Sequence, residues 1–220
     1  MIPKKILLVC LLSVIPAATF AQQSQILPLI LNVTKGSPAT PGNVGFLRLA
    51  EIEAASASEQ ADKALAAEDL ETMRTHLRKL LTALDPRTEA SESVSRTGLI
   101  YATAAINANL SIAQQMEEAS VNLRTQAGRA IVASDNVIEW SQGLADTTRA
   151  ALQFQSLEPA REMMASARGS LNHIIYGKDA NGDGKIGWQK GEGGLQQVRE
   201  YVEYLAKGEG LTPGFFKPAE

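Results

Sequence analysis

The chain has 220 residues, a formal net charge of −3, two histidines and one cysteine. A mildly acidic balance with no basic block and sparse aromatics excludes the electrostatic footprint and stacking surface of a nucleic-acid binder. The one cysteine, Cys10, stands in the N-terminal apolar run. The rest of the chain therefore has no thiol for a disulfide, a thiolate metal site, a covalent haem link or a cysteine nucleophile.

Lys4 and Lys5 precede an apolar run from Ile6 to about Ile15, followed by Pro16 and the residues Ala18-Thr19-Phe20-Ala21. This is the order of a secretory signal peptide cleaved after Ala21, which predicts a periplasmic or secreted protein. The run is shorter than the ~20 apolar residues of a membrane span and is broken by Pro16, so no transmembrane segment is expected in the mature chain. Residues 22–45 hold Pro28, Pro38, Pro41, Gly36, Gly42 and Gly45 among short apolar pieces, a density of helix breakers that predicts an extended lead-in.

From Phe46 the composition turns to Ala, Glu, Leu, Gln and Arg, the residues that cost least in a helix, and stays so almost to residue 208. A first helix runs to about Ala67. Asp69 is placed to N-cap a second, whose Leu70, Met73, Leu77, Leu80, Leu81 and Leu84 share one stripe until Asp85-Pro86 ends it. The polar stretch 86–97 is a loop. A third helix carries Leu99, Ile106, Leu110 and Ala113. A fourth and longest spans about Ser120 to Gln155, with Leu123, Ala127, Ala130, Ile131, Val137, Ile138, Leu144, Ala151 and Leu152 on its stripe. Small residues dominate these stripes, so facing helices can approach closely in an antiparallel bundle.

Glu158-Pro159 opens a fifth helix with Met163, Met164, Ala167, Leu171, Ile174 and Ile175, which stops at Gly177. A sixth carries Leu195, Val198, Tyr201, Val202 and Leu205 and closes at Gly208 and Gly210. The expectation is an all-α domain over 46–210, a bundle of about six helices, with a tail at 211–220. Glu71, Met73, Leu80 and Leu84 reappear as Glu162, Met164, Leu171 and Ile175 at one constant offset. A duplicated helix-loop-helix explains this echo, and so does coincidence between two amphipathic helices.

Between the last two helices lies Asp179-Ala180-Asn181-Gly182-Asp183-Gly184-Lys185-Ile186. A calcium ion takes six to eight oxygens from alternate places of a tightly wound loop. Asp179, Asn181 and Asp183 hold the first, third and fifth places, and Gly184 holds the sixth, where the chain turns sharply. Lys185, in the seventh, contributes its backbone carbonyl, and Ile186 is the aliphatic that fastens the loop. A solvated turn favours the same Asp, Asn and Gly residues, but it explains neither Ile186 after Gly184 nor the apolar helices on both sides.

This run resembles the EF-hand and the related dockerin-type loop. The resemblance implies a bidentate acid in the twelfth place, where this chain has Lys190. The nearest acid is Glu192, flanked by Gly191, Gly193 and Gly194, which would close the shell of a longer loop. The predicted ligand set is therefore Asp179, Asn181, Asp183, Lys185 and Glu192, for Ca2+. More widely, Asp69 to His76 with Leu84-Asp85-Pro86, and Asn181 to Trp188 with Gly191 to Leu195, resemble a group of uncharacterised exported bacterial helical proteins. That resemblance brings no known activity with it.

Other constellations are thinner. His76 and His173 each sit in a helix that precedes a loop, with Met73 or Met164 nearby as a soft ligand for metal or haem. Ser93, His76 and Asp85 make a hydrolase triplet on paper, without a nucleophile elbow. Gly191-x-Gly193-Gly194 follows no strand, which argues against a phosphate cradle. The expected function is an exported, non-catalytic calcium-binding protein in which the ion is mainly structural and the partner is a protein or envelope component. The alternatives are a haem or redox bundle using His76 or His173, and a calcium-responsive sensor whose last helix moves.

Overall fold

The computed structural model describes residues 18–88 and 97–211, with side chains from residue 25 onward. Most of the leader read at 1–21, most of the polar connection at 86–97 and the tail beyond residue 211 lie outside the described residues. Regular structure among those described is helical throughout. Seven α-helices follow in order: α1 Ala18–Thr34, α2 Phe46–Leu65, α3 Leu70–Leu84, α4 Leu99–Gln115, α5 Val121–Ala151, α6 Leu157–Tyr176 and α7 Leu195–Gly208. Among the described residues no helix is long and apolar enough to cross a membrane.

The additional helix arises in the lead-in, which is not extended as its prolines suggest: α1 runs through Pro28 as far as Thr34. Ile26, Ile30 and Val33 are buried while Pro28 is exposed. Three buried aliphatic side chains, each contributing roughly 1.5–3 kcal/mol, outweigh the ~3 kcal/mol that a proline costs inside a helix. The breakers act as expected only after residue 34. There Thr40 Oγ1 donates to the Ser37 carbonyl at 2.8 Å and Gly36 and Gly45 pack directly on backbone.

The other helices begin and end on their local chemistry. Asp69 caps α3, accepting the Thr72 N–H at 2.8 Å and the Thr72 hydroxyl at 2.7 Å. Ser120 caps α5, its Oγ accepting the Leu123 N–H at 2.9 Å. Pro159 lies in the first turn of α6, and α3 stops just before Pro86.

Two helical hairpins, α2–α3 and α5–α6, form the centre of the bundle. The buried positions of α2 are Phe46, Leu47, Leu49, Ala50, Ala54, Ala57, Ala61 and Ala64. At one constant offset α5 buries Ala133, Ser134, Asn136, Val137, Ser141, Leu144, Thr148 and Ala151. The same offset carries Met73, Leu77, Leu80 and Leu84 of α3 onto Ala160, Met164, Ala167 and Leu171 of α6, all buried. It also carries the Arg74–Glu71 ion pair onto Arg161–Glu158. The echo visible in the sequence, which pairs Met73 with Met164, is therefore out of the structural register by about one helical turn.

The hairpins hold each other reciprocally. Arg74 of α3 donates to the Phe154 carbonyl at the end of α5 at 2.8 Å, and Arg161 of α6 donates to the Ala67 carbonyl at the end of α2 at 2.7 Å. Each arginine thus satisfies a carbonyl in the turn just past the other hairpin's helix end, and places a positive charge near the negative end of that helix dipole. Exchanging the halves reproduces part of the packing: α2 lies against α3, α4 and α6, and α5 against α6, α7 and α3, but α5 also packs extensively on α4, whereas α2 barely touches α7. Helix α1 then covers α2 and α4.

One carboxylate in this assembly titrates near neutrality: burial pushes Glu53 of α2 up to a pKa of about 7, from 4.5. The folded state favours the protonated acid. Its contribution to stability is complete below pH 4.5 and is lost as the pH rises through about 7. Glu53→Gln should therefore raise the unfolding midpoint at pH 8 by a few degrees, about 1 kcal/mol once solvent screening of this half-buried site is allowed for, and change little at pH 4.5. Thermal melts at both pH values check this, and equal midpoints at pH 8 would contradict it.

Candidate cation loop

The loop between α6 and α7 is pinched shut at its base. Gly177 ends α6 at φ 83°, its N–H bonded to the His173 carbonyl at 2.9 Å. Gly194 precedes α7 so close by that a methyl group there would lie 2.5 Å from the Gly177 nitrogen and 2.6 Å from the His173 carbonyl oxygen. Just above, the Lys178 N–H bonds the Glu192 carbonyl at 2.8 Å. Gln197 Oε1 accepts the Gly194 N–H at 2.9 Å, which anchors the first turn of α7 to the same neck.

In the first half of the loop the backbone winds around its own side-chain oxygens. Asp179 Oδ1 accepts the Gly182 N–H at 2.7 Å and its Oδ2 accepts the Gly184 N–H at 2.9 Å. Asn181 Oδ1 accepts from Asp183 at 2.8 Å, and Asp183 Oδ1 accepts from Lys185 at 2.9 Å. Gly182 and Gly184 both have positive φ, 76° and 80°. Four backbone N–H groups are thus held by the three side chains expected as ligands, and those side chains are exposed to solvent. Their donor chemistry, oxygen without sulfur or imidazole, fits a hard cation.

The second half is built differently. Glu192 is buried, only 3 % exposed, and its Oε2 accepts the Gly187 N–H at 3.1 Å. Lys190, in the twelfth place, is exposed. Asp179, Asp183 and Glu192 are not gathered into one ligand cluster; among the described residues no three His, Cys, Asp or Glu side chains are. Ile186 lies across the neck over Gly177 and stays 37 % exposed, so it is not the core anchor expected from its place in the loop.

That anchor comes from elsewhere. Asn136 of α5, buried at 2 %, donates from Nδ2 to the Gln189 carbonyl at 2.9 Å and the Gly193 carbonyl at 3.3 Å, and accepts the Gly191 N–H on Oδ1 at 2.8 Å. Nothing in the apolar stripe of α5 predicts it. The available signal was an asparagine falling at a buried position of a long helix, where a polar side chain needs a partner.

The histidines stand apart from the loop oxygens and from each other's partners. His76 Nδ1 meets Gln60 Oε1 at 2.9 Å, and the His173 ring packs against Trp140 with centroids 5.6 Å apart. Burial, with the Lys178 charge adding to it, holds the His173 imidazole below its ordinary pKa. Beside the neck a cleft of about 470 Å³ opens between α2 and the facing ends of α6 and α7. It is floored by Ala54, Ala55, Ile175 and Leu195, and Glu51 and Arg199 bound it as a bidentate pair with both contacts at 2.6 Å. Neither histidine lines it. Ser93 lies outside the described residues.

No protein-family model, curated protein or solved structure matches this chain.

Two glycines of positive φ should respond differently to the same change. Gly184 has open space around it, so Gly184→Ala should cost only the conformational penalty, about 1 kcal/mol. At Gly177 a methyl group would overlap the Glu192 carbonyl oxygen and come within 2.5 Å of Ile186 Cγ2. Gly177→Ala should cost at least about 3 kcal/mol, because the neck must open to admit it. Urea unfolding of both variants measures the contrast.

Proposed function

We propose that this protein is an exported, non-catalytic helical protein that binds one calcium ion in the loop between α6 and α7, where the ion acts as a structural brace. The observation that carries this reading is the winding of residues 179–185 around Asp179, Asn181 and Asp183. These side chains fall at alternate places, their oxygens are fixed by four backbone N–H groups, and Gly182 and Gly184 turn the chain between and just after them. The likeness of this stretch to the EF-hand and dockerin-type loops points the same way.

In the bound state Asp179, Asn181 and Asp183 would supply side-chain oxygens, Lys185 its carbonyl and Glu192 the acid that Lys190 cannot provide. Calcium would neutralise the two loop aspartates and join the entrance of α7 to the exit of α6. A brace, rather than a sensor that swings α7, is supported by how firmly that helix is already held. Arg199 pairs with Glu51 of α2, Asn136 holds the loop on α5, and the neck closes tightly at Gly177 and Gly194. Binding energy then becomes folding energy. At ~1 mM calcium, a dissociation constant of ~10⁻⁴ M adds ~1.4 kcal/mol to stability. The leader at 1–21 supports a place outside the cytoplasm, where calcium is plentiful, and an envelope or protein partner.

Calcium calorimetry together with thermal unfolding in calcium and in chelator tests this reading. Wild type should bind one ion and melt higher with calcium. Asp183→Ala should abolish the heat of binding, Glu192→Ala should weaken affinity about tenfold, roughly 1.4 kcal/mol, and Lys190→Ala should leave it unchanged. No binding by wild type, or one affinity shared by all three variants, would show that the stretch is a turn and not a site.

A further inference from the structure

The acid nearest the loop stands two places later than a twelve-place calcium loop puts it, so something outside the loop must fix where it goes. The observations centre on α5. Asn136 is bonded to Gln189, Gly191 and Gly193, on both sides of Glu192 in the chain. Within that bracket the Glu192 N–H bonds the Gln189 carbonyl at 3.0 Å, its carbonyl takes the Lys178 N–H, and its carboxylate reaches Gly187. The two extra residues are thus folded into a bulge that turns the Glu192 side chain inward beneath the loop.

The correspondence between the hairpins shows that this is not ordinary helix packing. Asn136 occupies in α5 the position that Leu49 occupies in α2, and Ala133 the position of Phe46. A large apolar pair in the first hairpin is a small residue and a carboxamide in the second. Both differences serve the loop: a methyl group on Gly193 would come within 2.7 Å of Ala133 Cβ, so only a small side chain there lets the bulge lie on α5. Asn136 then bonds the Gly193 carbonyl and the Gly191 amide, and adds a second bond to the Gln189 carbonyl that the Glu192 N–H already holds.

We infer that Asn136 is a positioning residue for the cation site, acting through Glu192: it sets the bulge that makes Glu192, rather than the twelfth residue, the acid available to the ion. This rests on the calcium reading above. A residue that only supports the fold would lower stability and leave affinity alone. A residue that acts through Glu192 lowers affinity only while Glu192 is present.

The test is calorimetric calcium titration of wild type, Asn136→Ala, Glu192→Gln and the double variant. Asn136→Asp serves as a second variant of nearly the same shape, which keeps the acceptor for Gly191 but cannot donate to Gln189 or Gly193. Ser141→Ala is the control, since Ser141 is buried on the same helix with a hydroxyl that has no hydrogen-bond partner among the described residues. Each Asn136 variant should weaken calcium binding about tenfold, as Glu192→Gln does, the double variant should bind no more weakly than either single one, and Ser141→Ala should bind as wild type. Wild-type affinity in the Asn136 variants, or losses that multiply in the double variant, would overturn the role of Asn136 while leaving the calcium site standing. A wild type that takes up no calcium would overturn both.

Discussion

Two arginines, each closing the other hairpin's helix end, are the constraint on which the rest of the bundle depends. A helix that stops inside a packed structure leaves carbonyls that water cannot easily reach. Arg74 and Arg161 solve the problem in pairs, since each belongs to the helix that follows the one its counterpart closes. The hairpins are thereby fixed in register as well as in contact, and the alanine-rich faces of α2 and α5 can meet their neighbours at close range. With α2 and α5 placed, α4 and α7 have surfaces to lie on, and α1 covers what α2 and α4 leave open.

The loop after α6 inherits its position from that frame. Its neck is set by Gly177 and Gly194 and its floor by Ala133 and Asn136, while beside the neck the Arg199–Glu51 pair ties α7 back to α2. Only the winding from Asp179 to Lys185 is a matter of the loop's own residues. The division is chemical too. The exposed half offers side-chain oxygens already oriented by backbone amides, and the buried half keeps one carboxylate under cover of the bulge.

Legibility in the sequence followed the range of the interactions. The cap at Asp69, the start of α5 near Ser120, the stripes of α3 and α7 and the stop at Pro86 depend on neighbours a few residues away, and all could be read directly. The helix through Pro28 could not, because the burial that outweighs the proline comes from α2 and α4. The internal correspondence was audible in the sequence but misaligned: methionines and leucines matched by type, whereas the structure matches positions by burial and lets Met73 correspond to Ala160. At the loop the alternating oxygens and the odd acid at Glu192 were visible. Asn136 was not, since its importance lies wholly in contacts made far along the chain.

The pinched neck has a consequence for how such a chain can change. Because Gly177 and Gly194 nearly touch and Asn136 holds residues 189, 191 and 193 on α5, the residues between them form an almost closed ring attached to the bundle along one side. The entropy of closing a ring grows only slowly with its circumference. Residues can therefore be gained or lost at the exposed tip around Ala180 to Lys185 without displacing α6 from α7. The helices register the closed neck and the bulge seated on Asn136, so the exposed tip between them is free to drift while the architecture beneath stays the same.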